Sequence, residues 1–434
     1  MDIQINRLTL KNFRNIEYSN FNFEAPFTVV IGINGKGKST LLHALRVACG
    51  SFFLSIGEVE SRHIQEEEIR LKDQGKFVSP QFPVLVEAEG KLGGDEVIVW
   101  KRRVLAEGGK TTSSKEDVGE IKERGAVKYA LMQAGEDSLD LPLIAFLGTS
   151  RVYGAGRKQG GAKAMRRIFR DGYDSWHEMR SSRYAYEAWL SSYDVLLEQG
   201  KEYEGLKDAF FEAVKTANPY IEELKFLRDQ LWLKIRMEHY TSDLLPIHLH
   251  SDGIVSFTEM VAELAYRCIT LNAYRKDKAV IQTKGMVLID EIDLHLHPNW
   301  QRHVIGDLKA AFPNLQFVAT THSPFIVQSL SQEELINLDL EYGEEGLEKD
   351  PANYGIEDVA EIEMGVENVA RSEAFKKRVE VAKRYYRLIE QGKTSESDEE
   401  VAQLRKTLNA LEERFSDDPE FVATLQLERK VNGL

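Results

Sequence analysis

A glycine-rich run near the start of the chain has the residue types that bind phosphate. Residues 32–40 read GINGKGKST and match the pattern G-x-x-x-x-G-K-[ST]. The apolar residues 27–31 precede the run and a helical pattern follows it, which is the strand–loop–helix context that the pattern requires. Lys38 is expected to reach the β- and γ-phosphates, and Ser39 to bind Mg²⁺. The predicted nucleotide-binding residues are Asn34, Gly35, Lys36, Gly37, Lys38, Ser39 and Thr40.

A second set of chemically capable residues lies far downstream. Residues 286–289 are continuously apolar, as expected for a parallel strand covered on both faces. Asp290 follows at the carboxyl end, where its carboxylate can bind Mg²⁺ together with the hydroxyl of Ser39. Glu291 comes next and is the predicted catalytic group that orients an attacking water. A third apolar segment, residues 315–321, ends in His322, which we expect to contact the γ-phosphate or that water.

These motifs resemble a known class of ATPase. Residues 8–16 (LTLKNFRNI) resemble the N-terminus of the SMC and RecF class of ABC-type ATPases. Residues 288–298 (LIDEIDLHLHP) with residues 320–324 (TTHSP) are similar to a narrower group, the stand-alone AAA-like ATPases of bacterial anti-phage systems. That group includes the overcoming-lysogenization-defect ATPases and the ATPases of retrons and Septu systems, with the Septu type the most similar. The resemblance covers residues 1–50 and 246–340 well.

The resemblance implies a fold, an activity and ligands. The fold is an α/β ABC-type P-loop ATPase head with a mixed β-sheet core, a helical insertion and a C-terminal helical extension. The activity is hydrolysis of ATP with Mg²⁺, and at least two heads would sandwich the nucleotide. In such a dimer each subunit presents a signature segment to the partner's γ-phosphate, here Ser251, Asp252 and Gly253, with Asp252 where a glycine is usual. As an isolated pattern this segment is also compatible with a plain helix cap.

The implied role is that of a sensor or regulator in an anti-phage defence complex. It would control a partner nuclease, of the HNH type, through ATP-dependent dimerisation of the heads. An alternative is a DNA-binding ATPase of the RecF and SMC kind that acts in DNA repair. A transporter motor fits less well, because the separation of Lys38 and Asp290 is long for such a subunit. Residues after 340 show no assembled acidic metal cluster, so the chain is not expected to be a nuclease by itself.

Composition narrows the class of protein. The chain has 434 residues, a net charge of −14 and 42% hydrophobic residues, which is ordinary for a soluble globular protein. No apolar run approaches the ~20 residues of a membrane span, so no membrane association is expected. The two cysteines, Cys49 and Cys268, lie in apolar helical patterns and indicate a reducing, cytoplasmic location. The acidic balance argues against a protein coated in nucleic acid.

The pattern of apolar residues predicts four parts. They are an N-terminal ATPase lobe (1–150), a basic loop with a helical insertion (151–245), a C-terminal ATPase lobe (246–345) and a helical partner-binding extension (346–434). Within them we expect antiparallel strands at 84–88 and 97–100 and a strand at 141–147. We expect an exposed loop at 106–125, helices through 184–240 and two or three helices after 370.

Residues 151–183 differ from the rest of the chain in charge. They contain nine Arg or Lys and three Asp or Glu, with Tyr153, Phe169, Tyr173 and Trp176 between them. Basic and aromatic side chains together suit a nucleic-acid strand, DNA or RNA. The alternatives are a solvated loop or a contact to the partner subunit's ATP.

A pair of histidines after Asp290 invites a metal-site interpretation. His295 and His297 flank Leu296, with Asp293 nearby. Because metal sites usually bring three or four donors together, we do not expect a dedicated metal site here.

Overall fold

The structure is a computed structural model. It describes residues 3–149, 172–178, 183–340, 347–366 and 399–414, except residues 76, 95, 137, 239 and 348, together with residues 381, 384, 385, 387 and 388. The chain divides into two compact units, Met1–Gly365 and Val366–Leu434. The four-part division stays a prediction, and residues 151–171 and 179–182 of the basic window lie outside the described residues. In the part of the chain described, no helix is long and apolar enough to cross a membrane.

The regular elements are as follows. The strands are β1 (Ile3–Phe13), β2 (Ile16–Asn22), β3 (Phe27–Ile31), β4 (Leu71–Asp73), β5 (Val78–Pro80), β6 (Val84–Leu92), β7 (Val97–Val104), β8 (Leu143–Leu147), β9 (Ile221–Leu227), β10 (Gln230–Met237), β11 (Tyr240–Thr241), β12 (Leu245–Pro246), β13 (Gly285–Ile289), β14 (Leu315–Thr320) and β15 (Leu335–Asn337). The α-helices are α1 (Lys38–Gly50), α2 (Lys115–Gln133), α3 (Arg183–Glu198), α4 (Leu206–Ala217), α5 (Asp252–Asn272), α6 (Ala279–Gln282), α7 (Pro298–Gln301), α8 (Val304–Ala311), α9 (Pro324–Val327), α10 (Ile356–Asp358) and α11 (Glu399–Arg414).

A five-stranded parallel sheet forms the centre of the first unit. Its order is β15-β3-β14-β13-β8, and each neighbouring pair is parallel. Every residue of β3, β8, β13 and β14 is buried, as a sheet covered on both faces requires. Because the strands are parallel, the loops after β3, β13 and β14 meet at one edge of the sheet.

A four-stranded antiparallel sheet accompanies it, in the order β2-β1-β6-β7. β1 and β2 form a hairpin, and the pairing of β6 with β7 confirms the antiparallel strands predicted at 84–88 and 97–100. The side chain of Gln316 on β14 bridges the two sheets, because its amide exchanges two buried hydrogen bonds, of 2.9 and 2.8 Å, with the backbone of Ile5. Helix α1 packs against β7, where Trp100 Nε1 donates to the carbonyl of Ala48 at 3.0 Å. Both cysteines are buried, in α1 and α5. The predicted α/β class is confirmed.

Two predictions of local structure were wrong. The segment 106–125 is a loop only up to its middle, because Ser114 accepts from the N–H of Asp117 and starts α2, which buries Val118 and Ile121. Residues 184–240 are not helical throughout, since β9 and β10 form an antiparallel hairpin. The buried residues Leu231, Leu233 and Ile235 alternate, and Arg228 and Asp229 both have positive φ at the turn.

Candidate functional site

The glycine-rich loop lies between the buried strand β3 and helix α1, as predicted. Gly32, Gly35 and Gly37 have φ values of 147°, 90° and 117°, a region that L-residues rarely occupy. The loop is held from outside by Asn15, in the turn between β1 and β2. Asn15 Nδ2 donates to the carbonyl of Gly35 at 2.9 Å, and its Oδ1 accepts from the hydroxyl of Thr40 at 2.9 Å. These contacts keep the turns that point backbone N–H groups at an anion.

Lys38, the first residue of α1, is buried within this loop. Its ammonium donates to the carbonyls of Gly32 at 2.5 Å and Ile33 at 3.3 Å. Burial lowers the pKa of Lys38, and carboxylates nearby act in the opposite direction, namely those of Asp339, Asp290, Glu291 and Asp293. The lysine is thus a positive charge that folds back on its own loop, with four carboxylates near enough to act on its pKa.

The next residue, Ser39, meets the end of β13. Its Oγ lies 3.4 and 3.5 Å from the two carboxylate oxygens of Asp290. Asp290 continues the sheet, because its N–H donates to Leu147 at 2.8 Å, and its Oδ1 accepts from the hydroxyl of Thr320 at 2.6 Å. A hydroxyl and a carboxylate, both hard oxygen donors, therefore converge beside Lys38, which is the donor set that Mg²⁺ prefers.

Glu291 adopts a backbone conformation that is rare for its residue type. Its φ is +51°, in the left-handed region, which costs about 1–3 kcal/mol for a residue with a Cβ. The Thr320 hydroxyl helps to hold it there, because it accepts from the N–H of Glu291 at 2.8 Å while donating to Asp290. One threonine at the end of β14 thus fixes both acidic residues of the neighbouring strand.

The segment after β14 is tied to the loop after β13. The hydroxyl of Thr321 donates to Asp293 Oδ1 at 2.6 Å, and the N–H of His322 approaches the same oxygen at 3.3 Å. Ser323 donates to Gln301 Oε1 at 2.6 Å, and Gln301 in turn donates to the carbonyl of Leu296. His322 itself is exposed at this edge of the sheet. The structure places His322 at the end of β14, as predicted. Its contact with the γ-phosphate or the attacking water stays a prediction.

A further carboxylate, Asp339, contacts the first turn of the glycine-rich loop. Its Oδ2 accepts from the N–H of Ile33 at 2.7 Å. Residues after β15 keep pairing alongside β3, with the N–H of Leu338 donating to Ile31 at 3.0 Å, and this carries Asp339 to the loop. A Cβ on Gly32 would lie 3.1 Å from the Cβ of Leu338, so the first glycine is needed for the close approach. Asp339 is the first of the charges that oppose the lowered pKa of Lys38.

The predicted signature segment begins a long helix, α5. Ser251 occupies the N-cap position but makes no capping hydrogen bond through its side chain, so the helix-cap alternative does not account for its hydroxyl. Ser251 and Asp252 are exposed. Gly253 packs closely on the loop after β13, since a Cβ there would lie 2.3 Å from the carbonyl oxygen of His295.

Two aromatic residues of the basic window are not available for stacking on bases. Tyr173 and Trp176 are each 1% exposed, and both donate to backbone carbonyls, of Pro142 at 2.6 Å and Glu60 at 2.8 Å. For these two residues the predicted nucleic-acid contact was wrong, because they fill the core. Tyr153 and Phe169 lie outside the described residues.

Among the residues that are described, no three His, Cys, Asp or Glu side chains form a group that could hold a metal ion.

Sequence reasoning missed several residues at this site. Asn15, Thr320, Asp293 and Asp339 all hold or flank the central groups, and each bonds to a residue at least 20 positions away in the chain. Asn15, Asp293 and Thr320 lie inside the segments that carry the resemblance, which could have marked them. Nothing in the sequence around Asp339 distinguishes it from any other surface carboxylate.

Comparison with known protein families decides the membership of the chain. The family model described as "AAA domain" matches residues 7–244, more than half of the chain. The chain belongs to the AAA domain family. A second model, "AAA domain, putative AbiEii toxin, Type IV TA system", matches residues 165–328.

Individual relatives agree with the resemblance seen in the motifs. "Retron Vc95 probable ATPase" of Vibrio cholerae is 24% identical over 392 residues, 76% of this chain and 73% of that relative. "Retron Ec83 probable ATPase" of Escherichia coli is 32% identical over 149 residues, which are 33% of this chain and 27% of the relative. "Septu protein PtuA" of Bacillus mycoides is 32% identical over 127 residues, which are 29% of this chain and 17% of that protein.

Solved structures that align with this chain include SMC heads. "SMC head domain from Thermotoga maritima" aligns with 75% of this chain and 92% of its own, at 15% identity and a TM-score of 0.43. "Crystal structure of the SmcHead bound to the C-winged helix domain of ScpA" aligns with 76% and 92%, at 17% identity and a TM-score of 0.45.

Proposed function

We propose that this chain is an ATP-hydrolysing regulatory subunit of an anti-phage defence complex. One observation carries the chemical part of the proposal. Ser39 Oγ lies 3.4 Å from Asp290, beside the buried Lys38, at the edge of the parallel sheet where Glu291 and His322 also emerge. The three motifs come from distant segments, so their convergence supports a single nucleotide site. The relatives named as retron ATPases and as PtuA support the defence context.

The residues present fit Mg²⁺-ATP. The N–H groups of the loop would cradle the phosphates, and the ammonium of Lys38 would leave the carbonyls of its own loop to bind the β- and γ-phosphates. Ser39 and Asp290 would hold Mg²⁺, which supplies charge stabilisation at the phosphates. Glu291 would orient the attacking water, and His322 would donate to the γ-phosphate. The strained φ of Glu291 supports this role, because strain of this kind collects at functional sites.

The second half of each site would come from another copy of the chain. The hydroxyl of Ser251, which makes no capping bond, and the exposed N-terminus of the 21-residue helix α5 suit a phosphate presented from outside. A symmetric dimer would place each signature on the γ-phosphate of the partner. ATP would then hold the heads together until hydrolysis releases them. A partner nuclease, of the HNH type, would be switched by this cycle, and its docking on the extension after residue 345 is part of the proposal.

Hydrolysis tests the chemical assignment. Glu291→Gln should retain ATP binding and lose most of the turnover, because it removes only the carboxylate that orients water. Lys38→Ala should weaken binding itself. Glu291→Gln keeps the shape and backbone of the site and so serves as the matched control for Lys38→Ala. Full turnover in Glu291→Gln, in a steady-state phosphate-release assay, would remove that residue from the catalytic role.

Sedimentation tests the assembly. The hydrolysis-deficient Glu291→Gln chain should dimerise when ATP is added. Adding Ser251→Arg should abolish this, because a bulky cation would occupy the place of the γ-phosphate contact. Ser191→Arg is the matched control, since Ser191 is an exposed serine on α3, away from the nucleotide loops. A chain that hydrolyses ATP at full rate as a strict monomer would contradict the composite site.

A further inference from the structure

A cluster of basic side chains lies along α1, beyond the residues that bind the nucleotide. His43 and Arg46 follow Ser39 by four and seven residues and so share its face of the helix. Arg14, Arg62 and Arg102 reach the same region from the turn after β1, the loop after α1, and β7. After burial itself, the neighbouring charge of Arg62 is the strongest influence that lowers the pKa of Arg46, to about 10. Like charges have therefore been brought together in a poorly solvated place.

Two of these arginines are held by neutral partners. Arg46 donates to Nδ1 of His43 at 2.9 Å, and Arg102 donates to Nδ1 of His63 at 2.8 Å. Burial and the nearby arginines lower the pKa of His43 to about 3 and lower that of His63. Both rings are therefore uncharged near neutral pH. An uncharged imidazole orients a guanidinium but does not cancel its charge.

Carboxylates balance the cluster only in part. Glu68 is buried and bound by Arg62 at 2.7 Å, and the buried Asp117, whose charge acts to raise the pKa of Arg102, is itself paired with Arg103 at 2.6 Å. Glu60 and Glu178 lie at the exposed rim. Arg46 and Arg102 are 4% and 0% exposed, and Nε of Arg46 and Nη1 of Arg102 are buried without a hydrogen-bond partner. A buried guanidinium with an unsatisfied donor is costly, and an anion would remove that cost.

We propose that this cluster is a second phosphate-binding site, distinct from the glycine-rich loop. Planar guanidinium groups bind phosphate oxygens through paired, charge-assisted hydrogen bonds, and the cluster provides several of them. Phe146 supports one arginine, since the guanidinium of Arg46 lies over its ring, 4.2 Å from the ring centre. The side chains of Arg62 and His43, 12% and 26% exposed, connect the cluster to solvent. Because α1 also carries Lys38 and Ser39, an anion bound here would be felt at the nucleotide site.

Thermal unfolding in a Lys38→Ala background tests the site apart from the nucleotide. Pyrophosphate, or a single-stranded oligodeoxythymidylate, is added at constant ionic strength set with chloride. We expect Tm to rise with ligand concentration, by several degrees at about a hundredfold excess over the dissociation constant. The rise should disappear with Arg62→Gln and persist with Arg7→Gln, the matched control, since Arg7 pairs with Glu89 on the other sheet face. A rise that pyrophosphate produces alone assigns free phosphate as the source, and a rise that needs the oligonucleotide assigns a polynucleotide.

Two results would overturn the proposal. One is the absence of any rise in Lys38→Ala, which would place all phosphate binding in the glycine-rich loop. The other is an equal rise with and without Arg62→Gln.

The variant Arg46→Met guards against a folding artefact. It replaces an uncompensated buried charge by an apolar chain of similar length, so its Tm without phosphate should not fall below that of the parent, while the response to phosphate should be lost. A large fall in Tm without phosphate would show that Arg46 is structural and would also contradict the site.

Discussion

Replacing Gly253 by alanine should separate the role of the signature segment from that of the nucleotide loop. In the structure, a Cβ at this position would lie 2.3 Å from the carbonyl oxygen of His295, and such atoms essentially never approach below 3.0 Å. The two backbones must therefore move apart by about 0.7 Å, the difference between these distances. Neither side yields easily. The loop has its own left-handed residue at His295, and α5 is fixed below by the packing of Phe257 on Trp300, with ring centres 5.2 Å apart.

The expected loss of folding stability follows from overpacking. Displacements of this kind destabilise a well-packed protein by about 1–3 kcal/mol, against which alanine gains up to about 1 kcal/mol of helix propensity. The net loss of about 0–3 kcal/mol should leave the protein folded. Activity should suffer more, because the same shift moves both the segment that we propose contacts the partner's ATP and the loop that carries Glu291. We expect a fall in turnover of about tenfold or more, with nucleotide binding to the single chain little changed.

The assay compares Gly253→Ala with Gly306→Ala. Gly306 lies in α8 and a Cβ there would meet nothing within 4 Å, so this control gains helix propensity without a clash. Urea unfolding, fluorescent-nucleotide binding and phosphate release are measured for both variants. We expect Gly306→Ala to be slightly stabilised and fully active. Wild-type turnover in Gly253→Ala would refute the reasoning. It would mean that the close contact between Gly253 and the loop after β13 does not affect ATP hydrolysis.

Two further predictions concern charge. His43→Gln keeps a neutral acceptor for Arg46 but cannot titrate. Burial lowers the pKa of His43 from the ordinary histidine value of 6.5 to about 3, so the unfolded chain takes up the proton first as the pH falls. The stability that His43 contributes above pH 6.5 is therefore lost as the pH falls towards 3. Urea unfolding at pH 7 and at pH 5 should show that the free energy of unfolding of the wild type falls by about 2 kcal/mol more than that of the variant. Equal losses would contradict the burial of a neutral ring. Neutralising Arg166, Arg167 and Arg170 together, in the basic window, should weaken binding to a DNA or RNA strand and flatten its salt dependence, with ATP hydrolysis in the absence of nucleic acid unchanged. Loss of hydrolysis with unchanged nucleic-acid affinity would assign these arginines to the nucleotide or the dimer contact instead.

The parts of the site that could be predicted from the sequence are those that depend on residues close together in the chain. The glycine spacing and the apolar strand before it restrict the backbone directly, so the loop and α1 follow from neighbouring residues. The apolar run ending in Asp290 and Glu291 is similarly self-contained, and the parallel sheet follows from several such runs. The start of α2 depended on one cap, Ser114, which a polar, glycine-rich stretch concealed.

What could not be predicted depends on distant pairs. Thr320 is one of many threonines until β14 is known to lie beside β13, where its hydroxyl serves both Asp290 and Glu291. Asp339 acts on Lys38 only because residues past β15 run alongside the start of the glycine-rich loop. The arginines of the basic cluster come from four separate segments, and each looks like an ordinary surface charge in the sequence. The burial of Arg46 and Arg102 is a property of the packed molecule.

Mixing two inactive variants tests the central claim most directly. In the proposed mechanism, Glu291→Gln lacks the carboxylate that orients water and Ser251→Ala lacks the hydroxyl that contacts the partner's ATP, so each should be nearly inactive alone. In a mixed dimer, one site combines the intact Glu291 of one chain with the intact Ser251 of the other. In an equal mixture half of the dimers are mixed and carry one working site, so we expect about a quarter of the wild-type rate of ATP hydrolysis. Hydrolysis by the mixture that merely equals the mean of the two separate variants would contradict a site shared between two chains.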